Sequence, residues 1–237
     1  MLRLFVDVPL QPQAVLALPP GAARHVQVRR AQPGDALVLF DGRGGEWAAR
    51  VVEMTRSGVT VELLAHEPVD RELPIEVTLA VGMPANDRMD WLVEKAVELG
   101  AAALQPLHCE RAVLRLDGER AARRCAHWQA QAVAAAEQCG RTRVPPVHAV
   151  QPLEAFLRAA QAAAGVRRWV LSPRAGARPP RPAPGTQLWV LSGPEGGLAP
   201  DEEAAAQRAG FEPVSLGPRV LRADTAPLAL LAALAWP

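Results

Sequence analysis

Apolar and polar positions alternate in short runs over the first third of the chain, and the period then lengthens. From Leu2 to about Glu67, the segments Leu2–Val6, His25–Val28, Ala36–Phe40, Glu46–Val52 and Val59–Leu64 read as β-strands. Turn-forming stretches separate them: Pro19-Pro20-Gly21, Pro33-Gly34-Asp35, Asp41-Gly42-Arg43-Gly44-Gly45 and Ser57-Gly58. Strands this short and evenly spaced predict a small barrel or compact sheet. The polar stretch from Glu67 to Glu72 reads as a linker. It divides a first domain at 1–70 from a second at 73–237.

Beyond the linker the pattern is that of alternating strands and helices. Ile75–Val81, Ala103–Leu107, Arg168–Leu171, Gln187–Leu191 and Glu212–Leu216 are apolar enough for buried strands. Between them, Asp87–Leu99 carries Met89, Leu92, Val93, Ala96 and Leu99 on one helical face and stops at Gly100. Further helices are expected over Glu119–Cys139, Leu153–Ala164, Asp201–Ala209 and Thr225–Ala235. This alternation predicts an α/β domain with a parallel sheet covered on both faces. The proline- and arginine-rich stretch Pro173 to Gly185 reads as an exposed loop.

Composition narrows the function classes. The chain has 237 residues, 49% hydrophobic and 22% charged, with no apolar run long enough to cross a bilayer. A charge at Arg3 interrupts any signal-like core. A soluble, cytoplasmic protein without membrane contact is expected. Three cysteines (Cys109, Cys125, Cys139) without a C-x-x-C pair support neither a disulfide framework nor a zinc site. No metal is expected. A net charge of +1 excludes nucleic-acid binding by bulk charge, while leaving room for a local basic face.

The candidate chemistry lies near the C-terminus. Leu191-Ser192-Gly193-Pro194-Glu195-Gly196-Gly197 leads from a strand into a helix, and Ser215 to Ala226 does so again. Glycines let a backbone approach a ligand where a Cβ would intrude, and their amides suit a polar group. No Gly-Lys-Ser/Thr follows, which argues against a phosphate-binding P-loop, and the dinucleotide spacing also fails. Two such loops point to a pocket for a small molecule held largely by main-chain groups, read here as S-adenosylmethionine.

Taken together, these loops and several others carry a resemblance. Ser192-Gly193-Pro194-Glu195-Gly196-Gly197, Leu216-Gly217-Pro218-Arg219-Val220-Leu221-Arg222 with Asp224-Thr225-Ala226, Glu137-Gln138-Cys139 with Arg141, and Asp87-Arg88-Met89-Asp90 occur in order. The chain resembles the bacterial 16S ribosomal RNA uridine-N3 methyltransferases of the SPOUT class over almost its whole length. The resemblance implies a C-terminal trefoil-knotted domain preceded by a PUA-like β-barrel that binds RNA. It implies S-adenosyl-L-methionine bound by Leu171, Ser172, Gly193, Pro194, Glu195, Gly196, Gly197, Leu216, Gly217, Val220, Leu221 and Thr225. It further implies a homodimer acting on 16S rRNA within the assembled 30S subunit. His25, Arg29, Arg30, Arg43, Arg88, Arg111 and Arg141 are the residues expected to face RNA.

Methylation at uracil N3 requires loss of its proton, so the site should offer a proton acceptor or stabilise the uracilate. Arg222 is the candidate cation; Glu137, Glu195 and Asp224 are the candidate acceptors. Each has a plainer reading. Arg222 could pair with Asp224, Glu137 with Arg141 four residues on, and Trp47 and Trp91 could be core aromatics. Two departures from the family pattern are Ala85, where lysine is expected, and Ala199, where a serine or threonine would cap the helix. They motivate an alternative, an RNA-binding ribosome-assembly factor without activity. A third reading is a SPOUT enzyme acting on another base or on a ribose 2′-hydroxyl.

Overall fold

The computed structural model describes residues 1–85 and 87–236; Asn86 and Pro237, the expected last residue of the second domain, lie outside it. The chain forms two compact units: Met1–Glu72 with Ala136–Val144, and Leu73–Ala135 with the chain from Pro145 onward.

The first unit contains β1 (Leu2–Phe5), β2 (Val15–Ala17), α1 (Pro20–Val28), β3 (Ala36–Phe40), β4 (Glu46–Met54) and β5 (Val59–Glu67). These strands form one sheet in the order β1-β3-β4-β5-β2, parallel between β1 and β3 and antiparallel elsewhere. Strict alternation along β4 and β5 sends Trp47, Ala49, Val51, Val59, Val61 and Leu63 into a core shared with Leu4, Leu37 and Leu39. Helix α1 adds Ala23 and Val26 to that core.

The strand expected at His25–Val28 is therefore a correction: these residues finish a helix. Four alternating residues also satisfy the i, i+3 spacing of Ala23 and Val26, and Pro20 near the N-terminus favours a helical start over a turn. The first unit is completed by a distant part of the sequence. Arg141, 4% exposed, pairs through its guanidinium with Glu72, its Nε donating to Oε1 at 3.0 Å. Arg3 donates to the Arg141 carbonyl at 2.9 Å, and Arg71 to the Gly140 carbonyl at 2.8 Å.

In the second unit β6 (Glu76–Gly82), α2 (Arg88–Glu98), β7 (Ala103–His108), α3 (Gly118–Cys139), β8 (Gln151–Pro152), α4 (Leu153–Ala162), β9 (Val166–Leu171), β10 (Gln187–Ser192), α5 (Pro200–Arg208), β11 (Glu212–Val214) and α6 (Thr225–Ala235) follow in turn. The last turn of α3, from Ala136, counts with the first unit. The six strands form an all-parallel sheet, β11-β9-β10-β6-β7-β8. On one face, Leu153, Phe156, Leu157 and Ala160 of α4 and Ala206 of α5 pack with Ala80, Leu107, Val170 and Leu191. The intervening residues Leu79, Val81, Leu188 and Val190 point the other way and are buried as well, as both-face burial of a parallel sheet demands.

Two features of this sheet place the site. The connection from β10 through α5 passes β9, so that β11 becomes the sheet edge. Adjacent strands β9 and β10 are joined by the stretch 172–186, which contains no helix or strand. Where the chain leaves β11 it bonds to that stretch: Ser172 N–H donates to the Val214 carbonyl at 3.0 Å, and Ser215 N–H to the Ala177 carbonyl at 2.8 Å.

Candidate functional site

The ends of β9, β10 and β11 release three loops on the same side of the parallel sheet, where ligands of open α/β sheets collect. The loops surround a cavity of about 670 Å³. Leu171, Ser172, Gly193, Pro194, Glu195, Gly196, Gly197, Leu216, Gly217, Val220 and Leu221 all line it, as does Arg222. Thr225 and Asp224 do not. Arg88 and Arg111 line the same cavity.

The glycine loop is shaped by contact. A Cβ at Gly193 would stand 2.7 Å from the Leu198 nitrogen and 2.9 Å from the Gly197 carbonyl carbon, too close for any side chain. Gly197 N–H closes the turn on the Pro194 carbonyl at 2.8 Å. In the third loop Gly217 has φ +114°, a conformation reserved for glycine, and its N–H donates to the Ser215 hydroxyl at 3.3 Å. Among the described residues, the amides of Gly196, Leu216, Val220 and Leu221 have no protein acceptor. The cavity is thus lined in part by main chain, with these four donors free for a ligand.

Helix α5 lacks a capping side chain at Ala199, and the structure shows what replaces it. Glu202 accepts the Ala199 N–H at 2.9 Å with one carboxylate oxygen and the Glu110 N–H at 2.7 Å with the other. This half of a capping box covers one orphan donor of the helix and ties the loop after β7 to α5. Ala85, the other departure, offers its backbone N–H to Glu195 Oε1 at 2.8 Å.

The charged candidates separate clearly. Glu195 is ion-paired with Arg88, Nη1 to Oε1, at 3.9 Å. Arg111 donates to the carbonyls of Gly196 at 3.2 Å and Leu198 at 3.5 Å, which fixes the glycine loop to the segment after β7. Arg222 is exposed and, among the described residues, forms no pair with Asp224. Its carbonyl instead accepts Thr225 N–H and Ala226 N–H, starting α6. One carboxylate oxygen of Asp224 is buried without a hydrogen-bond partner.

Glu137 belongs to the first unit. It accepts Phe5 N–H at 2.9 Å and lies 3.8 Å from His25 Nδ1. Burial raises its pKa above the usual carboxylate value, against the opposing effects of the Phe5 amide and of His25 and Arg3. Among the described residues no ion pair joins Glu137 to Arg141, the plainer of the two readings; Arg141 is bound to Glu72 and only 4% exposed, which leaves it little surface for a phosphate. His25, Arg29, Arg30 and Arg43 remain at least partly exposed in the first unit. Trp47 is a core residue whose ring meets that of His66 at a tilt of 46°, centroids 4.8 Å apart, whereas Trp91 is 46% exposed and not core. Burial, with the Glu202 charge adding to it, pushes the Cys109 thiol up to about 12, so it is neutral and inert.

Two cavity arginines were not singled out by the sequence pattern, Arg174 and Arg219. Arg219 lies inside a quoted motif, while Arg174 is hidden in a stretch whose composition reads only as loop. Among the described residues no group of His, Cys, Asp and Glu could hold a metal ion, and no helix is long and apolar enough to cross a membrane.

Comparison with known proteins places this geometry. Residues 71–235 match the RNA methyltransferase domain family, and residues 18–64 match the RNA methyltransferase PUA domain. A ribosomal RNA small subunit methyltransferase E from Synechocystis is 36% identical, the match covering 93% of this chain and 72% of the relative. Its Bacillus subtilis counterpart is 31% identical, over 89% of this chain and 85% of the relative. The crystal structure of a Neisseria gonorrhoeae ribosomal RNA small subunit methyltransferase E bound to S-adenosyl methionine superposes with a TM-score of 0.92. It is 34% identical, with 99% of this chain and 96% of that one covered. A putative methyltransferase from Legionella pneumophila, in complex with the same cofactor, gives 0.90 at 32% identity, covering 98% and 96%. With both units matched and a backbone this close to that of relatives above 30% identity, the chain belongs to the ribosomal RNA small subunit methyltransferase E family.

Proposed function

We propose that the protein transfers a methyl group from S-adenosylmethionine to N3 of a uridine in 16S ribosomal RNA, acting on the small subunit as a homodimer in the cytoplasm. The observation that carries this reading is the convergence of three backbone-rich loops on one cavity in a chain of this family. The residues present fit the cofactor. A volume of about 670 Å³ is in the range of small-molecule sites. The free amides of Gly196, Leu216, Val220 and Leu221 suit its polar edges, and Leu171, Leu198 and Val214 supply apolar walls. When bound, the cofactor supplies an activated methyl carbon on a sulfonium, and holding the base in line with it is then the protein's main task.

Arg222 lines the cavity and has no carboxylate partner among the described residues, so its charge is available to the oxygens of a uracil losing its N3 proton. Glu195 is the only one of the three candidate carboxylates that lines the cavity. Its Oε1 is held by the Ala85 amide and Arg88, which orients the side chain and leaves Oε2 to accept the proton. Glu137, the half-buried His25 and the exposed Arg29, Arg30 and Arg43 belong to the unit matched to the PUA domain, which suits RNA docking rather than proton transfer.

The threading of the C-terminal segment through the 172–186 loop, the trefoil knot of the SPOUT class, is supported by the β10–β11 crossover and by the bonds of Val214 and Ser215 to that loop. Dimerisation is supported by α6, which is apolar on every side, and by the exposed Trp236 and Val220 nearby. The test is nucleoside analysis by mass spectrometry of small subunits, taken from a strain lacking the activity, after incubation with the protein and labelled cofactor. N3-methyluridine is expected. A labelled ribose, a different base or no label refutes the assignment.

A further inference from the structure

Five arginines line the cavity: Arg88, Arg111, Arg174, Arg219 and Arg222. Only two carboxylates, Glu195 and Glu203, line it with them. Five guanidiniums against two carboxylates leave a net +3 at one mouth, whereas the whole chain carries only +1. The local basic face that a near-neutral composition left open is therefore here.

The five do different work. Arg88 is held by Glu195, and Arg111 by the carbonyls of Gly196 and Leu198. Among the described residues, the guanidiniums of Arg174, Arg219 and Arg222 have no protein partner, and all three residues are exposed. Arg174 comes from the β9–β10 loop and Arg219 from the loop after β11. The two loops are fastened to each other by Ser172 N–H on Val214 and Ser215 N–H on Ala177, so main-chain bonds hold together the loops that bring both arginines to one cavity. Three unpartnered guanidiniums exceed what a single cofactor carboxylate requires. Their exposure places them where a large polyanion arrives and not where a small ligand is enclosed. The planar guanidinium fork matches two oxygens of one phosphate.

We propose that Arg174 and Arg219 form a phosphate clamp on the RNA backbone next to the target nucleotide, leaving Arg222 for the base. This rests on the methyl-transfer reading above, and its test has readouts that survive the failure of that reading. Arg174→Gln, Arg219→Gln and the double variant are compared with Arg158→Gln. That control removes the same charge from α4, where Arg158 is exposed and paired with Glu154 outside the cavity. Two quantities are measured: cofactor affinity by calorimetry, and affinity for unmethylated small subunits across a salt series.

Each clamp variant is expected to weaken subunit binding about 3- to 10-fold near physiological salt. Each should also reduce the slope of log K against log salt by about 0.7 to 0.9. Cofactor affinity should stay within twofold, and Arg174→Lys should recover part of the lost binding. An unchanged slope overturns the clamp. So does a tenfold loss of cofactor affinity with the slope intact, which would assign the guanidiniums to the cofactor carboxylate. If wild-type protein bound subunits with the expected salt dependence yet transferred no methyl group, the function reading would fall and the clamp would stand.

Discussion

Replacing Gly193 by alanine tests the main-chain character of the site. The new Cβ would lie 2.7 Å from the Leu198 nitrogen, and ordinary contact begins at 3.4 Å, so the loop must open by about 0.7 Å. Both atoms it meets are backbone, and neither can rotate away. The backbone of Gly193 is not in the left-handed region, so the effect is one of contact alone. Opening strains the Gly197–Pro194 turn and displaces the Gly196 amide that faces the cavity. Overpacking of this kind costs about 1 to 3 kcal/mol. The free loop can relax while the bound loop cannot, so most of that cost falls on binding. Cofactor Kd should rise about 5- to 160-fold. Isothermal titration calorimetry measures it, with circular dichroism melting to show that the fold persists. Gly176→Ala is the control, because nothing lies within 4 Å of its added Cβ. A Gly193→Ala protein binding the cofactor within twofold of wild type would refute the reasoning.

Other expectations rest on buried polar groups. Asp90 accepts from Trp128 Nε1 at 2.8 Å, Arg124 at 2.8 Å and His127 at 3.1 Å, while Trp128 is fully buried. Asp90→Ala should cost about 2 kcal/mol by stranding the indole donor, and Asp90→Asn less, as read by urea denaturation. Arg141→Ala should cost about 3 to 5 kcal/mol by leaving Glu72 without its partner, and Arg141→Lys should not restore it, since lysine lacks the fork; thermal melting decides. Burial raises the Glu137 pKa, so its contribution favours the fold below the unfolded value of 4.5 and is lost as pH rises through the folded value. Glu137→Gln keeps an acceptor for the Phe5 amide; it should match wild type near pH 4 and be more stable near pH 8.

Long periodic segments were the most legible part of the fold. Helix α2 over Arg88–Glu98 buries Met89, Leu92, Val93 and Ala96, four of the five residues whose spacing places them on one face. The parallel sheet follows from runs such as Gln187–Leu191, which are apolar on both faces. Short elements were less readable. Three residues in β2 and two in β8 carry no period, and four residues at His25–Val28 fit two periods at once. At the site, glycines and motif order revealed the loops, because a backbone lining leaves its mark in residues that lack a Cβ. Partnership left no such mark. That Arg141 is enclosed by Glu72, 69 positions away, or that Arg88 belongs to Glu195, is set by long-range packing. Arg174 shows the same limit: its neighbours in sequence are prolines and alanines, and only the folded loop brings it to the cavity.

The discontinuity of the first unit constrains how the protein is made. Residues 136–144 supply the Arg141 guanidinium to Glu72, the Glu137 carboxylate to the Phe5 amide, and three carbonyls to Arg3 and Arg71. During vectorial synthesis the N-terminal module cannot close until Val144 has left the ribosome, so much of the methyl-transfer unit emerges before its predecessor is finished. A gene truncated after Glu72 would accordingly yield a chain with these acceptors and donors stranded, and grafting the N-terminal module onto another enzyme would require carrying that nine-residue segment with it.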